Sequence, residues 1–419
     1  MRSMKDIKCA DVTEVTLVNR KITSVSIMKV NGIHIIKTLY FYEKLMGLCP
    51  FILSNKIVIK FSYIGAVYNL LITLIYTYCF ILIIGLRFEL HLTRESTLSI
   101  ALDAFGLAFQ YCSIVSAWLT LTFRQECLKK IVATFAKVDL LANNLSMTLT
   151  RYRLRKSQYI AARLMLINLM YIAIFLSEHY LLKTYKKFEE HASTWIWFNL
   201  PKLVIYNIFG IFIELMIILQ QDYRALNKVI SYSFSEKIDA TSFCNFSEPP
   251  GLISKKLCTI AEFHEKLSDI LEYTTNVFSL PLLFALLASF LHLTLDSYIV
   301  YQHLLSKRMW EFNDFSSYVI CLVWISTKIL GFYFLCSVPD STSAEANHTV
   351  IILIKIINNC YKVRSCRDMM KKLMLQFKQK KNYASLYGLF SLDYYLFKNI
   401  MSTSVMFLVF MFQLDDLVT

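Results

Sequence analysis

Residues Phe61–Leu86 read FSYIGAVYNLLITLIYTYCFILIIGL, a stretch without one charged side chain. A helix rises about 1.5 Å per residue and a bilayer's hydrocarbon core is about 30 Å thick, so about twenty such residues cross it. The stretch is therefore read as a transmembrane helix. Working outward, the same reading finds Leu98–Phe123, Tyr159–Leu182, Trp195–Leu219, Val277–Val300 and Phe315–Ser337. A seventh stretch, Ile400–Leu414, covers only about 22 Å and is expected to start in protein rather than lipid. Just before it, Tyr387–Lys398 (YGLFSLDYYLFK) carries Asp393 and Lys398 and reads as the first part of a broken final helix.

Composition supports an all-α membrane protein. Hydrophobic residues make up 56% and charged residues 18%, with mean hydropathy +0.48; water-soluble chains have roughly 45 to 50% and 25%. Disorder and collagen-like order are excluded. With 9 Gly and 6 Pro against 15% aromatics, long helices filled by Leu, Ile, Phe and Tyr are expected, not a glycine-rich transporter pack. Lys and Arg number 44 against 30 acidic residues, for a net charge of +14. In a membrane protein that excess faces anionic lipid, so membrane lipids are expected partners and nucleic acid is not. The 11 cysteines are odd in number and scattered, and Cys79, Cys112, Cys321 and Cys336 sit inside apolar runs. No CxxC or Cys/His zinc spacing occurs, so neither a disulfide scaffold nor a metal site is expected. No HExxH, phosphate-binding glycine loop or GxSxG is present, which points away from an enzyme and from any cofactor. Residues 1–59 lack a secretory signal, and insertion is expected to begin with an internal span.

Between spans the chain alternates long segments with short ones, so the long ones share one side. The most informative is Arg124–Gln158, where Arg124, Lys129, Lys130, Lys137, Arg151, Arg153, Arg155 and Lys156 face only Glu126 and Asp139. The rule that basic loops stay inside places this segment and the N-terminus in the cytoplasm and the C-terminus outside, the reverse of a G-protein-coupled receptor. Residues 1–60 then form a cytoplasmic segment with an amphipathic helix, 61–337 hold six spans, 338–399 a cytoplasmic anchor segment, 400–414 the seventh helix and 415–419 an extracellular tail. Apolar residues from Ile253 to Leu271 recur at helical spacing and run into the fifth span. Val350–Ile357 and Met369–Phe377 read as two further helices of the anchor. The sequons at Asn144, Asn245 and Asn347 all fall on the cytoplasmic side, where they would be accidental.

Two stretches carry a resemblance. Before the first span stands Tyr42-Glu-Lys-Leu-Met-Gly-Leu-Cys-Pro-Phe51, an amphipathic segment stopped by Gly47 and Pro50. Near the C-terminus come Gly388, Phe390, Leu392 and Asp393, then Met406 to Leu414 (MFLVFMFQL). With seven spans and an outside C-terminus, these resemble the insect gustatory receptor family. That family ends on Thr, Tyr, five hydrophobic residues, Gln and Phe. Here Leu408–Phe412 and Gln413 match, while Met406, Phe407 and Leu414 replace Thr, Tyr and Phe. The resemblance implies a plasma-membrane, ligand-gated channel of taste neurons, related to odorant receptors and passing monovalent cations and calcium. It implies four subunits, as a homotetramer or with other gustatory receptors, one pore-lining last helix per subunit, and a small-molecule tastant as ligand. Phe410, Gln413 and Leu414 then become the gate, an apolar constriction that blocks ions by dewetting.

Ionisable residues inside spans are the remaining candidates, because placing one in lipid costs about 2.5 to 3.5 kcal/mol. Asp103, Glu178, His179, Asn199, His292 and Thr294 are expected to line an outward-opening cavity, with Tyr318, Trp324, Trp195 and Trp197 as aromatic walls. Arg163, Lys202 and Asp296 lie near span ends and are read as snorkelling to headgroup water. Glu214 and Lys328 lie deeper; a structural ion pair is expected, with a proton relay as the alternative. Few such polar groups stand among many Phe, Leu and Ile, which points to bitter or plant secondary compounds; a sugar sensor is the alternative. A G-protein-coupled receptor is disfavoured by the absence of a DRY-like triplet and of any Pro after Pro339, and a transporter by absent repeats.

Overall fold

A computed structural model describes residues 40–53, 59–91, 97–145, 149–184, 192–235, 250–305, 312–359, 364–380 and 382–418. Its helices are α1 (Tyr63–His91), α2 (Thr97–Phe123), α3 (Gln125–Asn144), α4 (Leu149–Thr184), α5 (Ala192–Ser235), α6 (Pro250–Leu305), α7 (Phe312–Asn359), α8 (Arg364–Gln379) and α9 (Tyr394–Val418). Two short antiparallel ladders pair β1 (Ile52–Leu53) with β2 (Ile59–Lys60) and β3 (Ser385–Leu386) with β4 (Phe390–Ser391). Among the described residues seven helices, α1, α2, α4, α5, α6, α7 and α9, are long and apolar enough to cross a membrane.

The helices outrun the spans. Beyond the apolar stretches, α5, α6 and α7 continue for roughly 24 to 40 Å at one end of the bundle. That end is called here the extended end, and the opposite one the short-loop end. On α5, Phe212, Met216, Leu219, Tyr223, Leu226 and Ile230 alternate steps of three and four residues and form one fully buried stripe. Leu257, Ile260, Phe263, Leu267 and Ile270 form a buried stripe on α6 at steps of three or four residues, and Met370, Leu373 and Phe377 form one on α8. The three stripes meet with Leu353 and Ile356 of α7 in one core.

Three expectations are corrected here. Val350–Ile357 is no separate helix but the end of α7, which passes Ser337 without a break. Tyr387–Lys398 does not form half a helix: it opens with a hairpin whose turn hydrogen-bonds Leu389 N–H to the Leu386 carbonyl. Tyr387 and Gly388 at its centre have φ of 51° and 72°, the left-handed pair that a tight hairpin requires, and glycine adopts it without a Cβ clash. The seventh helix is then not short. Asp393 caps it by accepting from Leu396 N–H at 2.8 Å, and its 25 residues span about 37 Å.

Residues 40–48 are seated among α1, α2, α4 and α5. Trp118 Nε1 donates to the Met46 carbonyl at 2.9 Å and Asn69 Nδ2 to the Gly47 carbonyl at 2.8 Å. Gly47, at φ 77°, leaves no room for a Cβ, which would lie 2.8 Å from the Trp118 indole nitrogen. Tyr42 donates to Asn168 Oδ1 at 2.9 Å, and Asn168 is bonded in turn to Asn207. Glu43 is 3% exposed with neither carboxylate oxygen hydrogen-bonded, and burial raises its pKa to about 8.

Candidate functional site

Three helices bring matching stripes together at the short-loop end. On α7, Trp324 and Lys328 are one turn apart on a single face. On α5, Lys202 and Tyr206 have the same spacing, and on α4, Tyr171 and Glu178 lie two turns apart. The faces meet in an aromatic stack: the Tyr171 and Tyr206 rings are 3.9 Å apart at 13°, and Trp324 lies nearly parallel to both at 6.2 and 6.3 Å. Trp324 Nε1 donates to Glu178 Oε2 at 3.3 Å while the Lys202 ammonium sits 5.0 Å over the indole ring. Such a cation is drawn to the negative face of the ring. Lys328 forms an ion pair with Asp296 of α6. Glu178 lies within electrostatic reach of Lys202, Asp296 and Lys328, so two carboxylates and two ammonium groups balance within one cluster.

The candidates read from the sequence fall into separate places. Glu178 and Trp324 are hydrogen-bonded in this cluster. His179 turns away from it and stacks on Phe175 of its own helix. Tyr318 is partly buried on α7, six residues before Trp324 and on another face. Asp103 and His292 belong to the α2–α6 interface: Asp103 is 3% exposed, and the His292 ring lies against Gly106, three residues along the same face. The side chains of Asn199, Trp195, Trp197 and Leu414 lie outside the described residues.

Two charge assignments are corrected. Glu214 does not pair with Lys328; it pairs with Arg163, one turn from the Asn168–Asn207 contact on α4. Asp296 and Lys202, read as snorkelling, take partners inside the protein, Asp296 with Lys328 and Lys202 over the Trp324 ring. Tyr171, Tyr206, Lys202 and Asp296 were not singled out as ligand candidates. The signal was present in the spacing of four between Lys202 and Tyr206 and in opposite charges on the fifth and sixth spans.

The last helix has two faces. Met411 is buried against Leu102 and Tyr298, and the Phe412 ring lies 3.7 Å from Tyr301 and 6.0 Å from Tyr298. Phe410 and Gln413 are exposed on the other side, together with Val405, Met406 and Val409. Among the described residues no three His, Cys, Asp or Glu side chains are grouped to hold a metal.

The sequence family described as 7tm chemosensory receptor matches residues 36–417. The chain belongs to that family. It is therefore a multi-pass membrane protein, in a family of receptors and not of enzymes. Its fold is similar to the insect olfactory receptor OR5 from Machilis hrabei, with TM-score 0.62 and 15% identity over 92% of this chain and all of that one. The structure of that receptor in complex with eugenol is similar at TM-score 0.63 and 14% identity over the same shares. No curated protein matches the chain.

Proposed function

We propose that this chemosensory receptor is a gustatory receptor, a ligand-gated, non-selective cation channel of the plasma membrane that opens to a small molecule bound at its short-loop end. The single observation that carries the reading is the Glu178–Trp324–Lys202 cluster, a set of charges at apolar depth walled by three aromatic rings. Ionisable groups in spans are costly, and a ligand contact is a reason to keep them. OR5 holds eugenol in the complex named above, and the stacked rings here suit a small organic ligand. The channel part rests on α9, whose Phe410 and Gln413 stay uncovered by their own subunit and suit a pore axis shared by four copies.

Bitter or plant secondary compounds are the first ligand reading. A sugar-sensing receptor is the second, favoured by one observation: the cluster gathers carboxylates, ammonium groups and stacked rings, the combination needed to satisfy a polyol's hydroxyls when they leave water. Calcium imaging of cells expressing the chain, against sugars and plant metabolites, separates the two. Responses to a ligand that vanish in Trp324→Ala support the site; no response to either set in surface-expressed protein counts against the receptor acting alone. The extended end is proposed to be cytoplasmic. In that orientation Asn144 and Asn347 meet no glycosylation machinery, and glycosidase leaves gel mobility unchanged. A mobility shift abolished by Asn347→Gln would reverse the orientation.

A further inference from the structure

Helix α6 stands between the aromatic cluster and the last helix and touches each with an opposite face. Asp296 points to α7, where it pairs with Lys328. Tyr298 and Tyr301 lie about 200° and 140° further round the helix at 100° per residue. Both rings pack on Phe412 of α9, and Tyr298 is also buried with Met411. Two turns nearer the extended end, Phe290 meets Phe407 of α9 edge to face at 5.9 Å. Below these contacts Pro281 interrupts the intrahelical hydrogen bonds, and its carbonyl accepts from Ser113 of α2 at 3.0 Å. The helix is thus hydrogen-bonded to α2 at Pro281, stays packed on α2 through His292 and Tyr298, and beyond Pro281 also meets α7 and α9.

We infer that the Asp296–Lys328 pair is a latch fixing the outer part of α6, and that α6 passes the state of the cluster to the last helix through Tyr298 and Tyr301 against Phe412. This inference rests on the channel reading above. A ligand at the cluster competes for Lys328, because Glu178, Lys202, Asp296 and Lys328 share one electrostatic neighbourhood. Drawing Lys328 away leaves the half-buried Asp296 carboxylate without its partner, and it is relieved by moving toward water or another cation or by taking up a proton. Since the opposite face of the same helix is packed on Phe412, its movement is delivered to α9. Asp296 and Lys328 are positioning residues in this scheme, with no need to touch the ligand.

The test is a double-mutant cycle on basal current, recorded from cells matched for surface protein, so that no ligand need be known. Lys328→Met shifts the basal open fraction about fivefold or more. The exchange Asp296→Lys with Lys328→Asp returns it toward wild type. In a Phe412→Ala background Lys328→Met adds nothing further, because the path is already cut. Effects that multiply, or, where wild type conducts, an unchanged basal current in surface-matched Lys328→Met, overturn the latch and leave the pair a structural staple. A second readout is independent of current: crosslinking of Tyr301→Cys with Phe412→Cys by a short bismaleimide in membranes, followed by mass spectrometry of the joined peptides. If neither wild type nor Lys328→Met carries current, with or without the panel of sugars and plant metabolites, but Lys328→Met changes the crosslinking rate about fivefold, the latch stands and the channel reading falls. If currents are normal and neither readout responds, the latch alone falls.

Discussion

At the extended end, α5, α6, α7 and α8 bury Tyr223, Phe263, Leu267, Leu353 and Phe377 with almost no exposed surface. At the short-loop end the candidate site joins buried Trp324, Tyr171 and Lys328 to half-buried Glu178, Lys202 and Asp296. The difference follows from the solvent. Helices extending beyond the apolar spans bury their stripes from water, and each large side chain contributes about 1.5 to 3 kcal/mol. Inside a bilayer apolar contact brings no such gain, since lipid is as apolar as Leu, and close packing and hydrogen bonds hold helices instead. The extended end is therefore built to be rigid, and the short-loop end can carry exchangeable polar contacts without unfolding the bundle.

The sharpest way to break this contrast is Phe263→Ala, which empties a fully enclosed site and is expected to cost about 3 to 5 kcal/mol. Thermal unfolding of detergent-solubilised protein measures it; a loss no larger than that of Trp324→Ala would mean that the two ends are equally rigid. The second prediction concerns pH. Seated against the bundle, Glu43 holds its proton up to about pH 8, whereas a free carboxyl has an ordinary value of 4.5. Between those values the unseated segment binds fewer protons than the seated one, so stability falls as pH rises from about 4.5 to 8. Glu43→Gln removes that slope, and parallel melting curves from pH 5.5 to 8.5 for both proteins would remove the buried-acid account.

At the short-loop end, Trp324→Ala deletes the ring that both Lys202 and Glu178 contact. It is expected to shift ligand potency about tenfold, near 1.4 kcal/mol. Asp103→Ala, on the separate α2–α6 interface, should leave potency nearer wild type; equal shifts would merge the two places into one site. A smaller effect, about 1 kcal/mol, is expected for Asp393→Ala, which leaves the Leu396 N–H without its cap, and Asp393→Asn should recover most of it. Least costly to stability is Phe410→Ala on the exposed face of α9, within about 0.5 kcal/mol. Patch recordings should nevertheless show a ligand-independent leak, because a wider and less apolar ring wets more readily. Silent patches from surface-matched protein would place Phe410 against lipid.

The spans were legible because lipid sets a length and a polarity that any helix must meet, and Phe61–Leu86 meets both. Asp393 was legible in kind, since its pattern with Gly388 marked a special place, but its work as a cap was hidden by reading Tyr387–Lys398 as helix. Apolar residues at 389, 390, 392, 395 and 396 fit a helix as well as a hairpin, and only Tyr387 and Gly388 at positive φ decide between them. Glu178 and Trp324 stood out as a charge and a ring at apolar depth. Their bond to each other did not, because residues 146 positions apart carry no common period.

The sequence alone sufficed for the candidate crossings and the helical class, which depend on composition over some twenty residues, and for the family, which rests on a match over residues 36–417. What only the tertiary structure decided is partnership. Sequence offered Arg163, Lys202, Glu214, Asp296 and Lys328 as charges that had to be relieved, and Glu214 with Lys328 was a reasonable match by depth. The helix rotations chose Arg163 with Glu214 and Asp296 with Lys328. A rotation is set by packing on every neighbour at once, so no single span contains it.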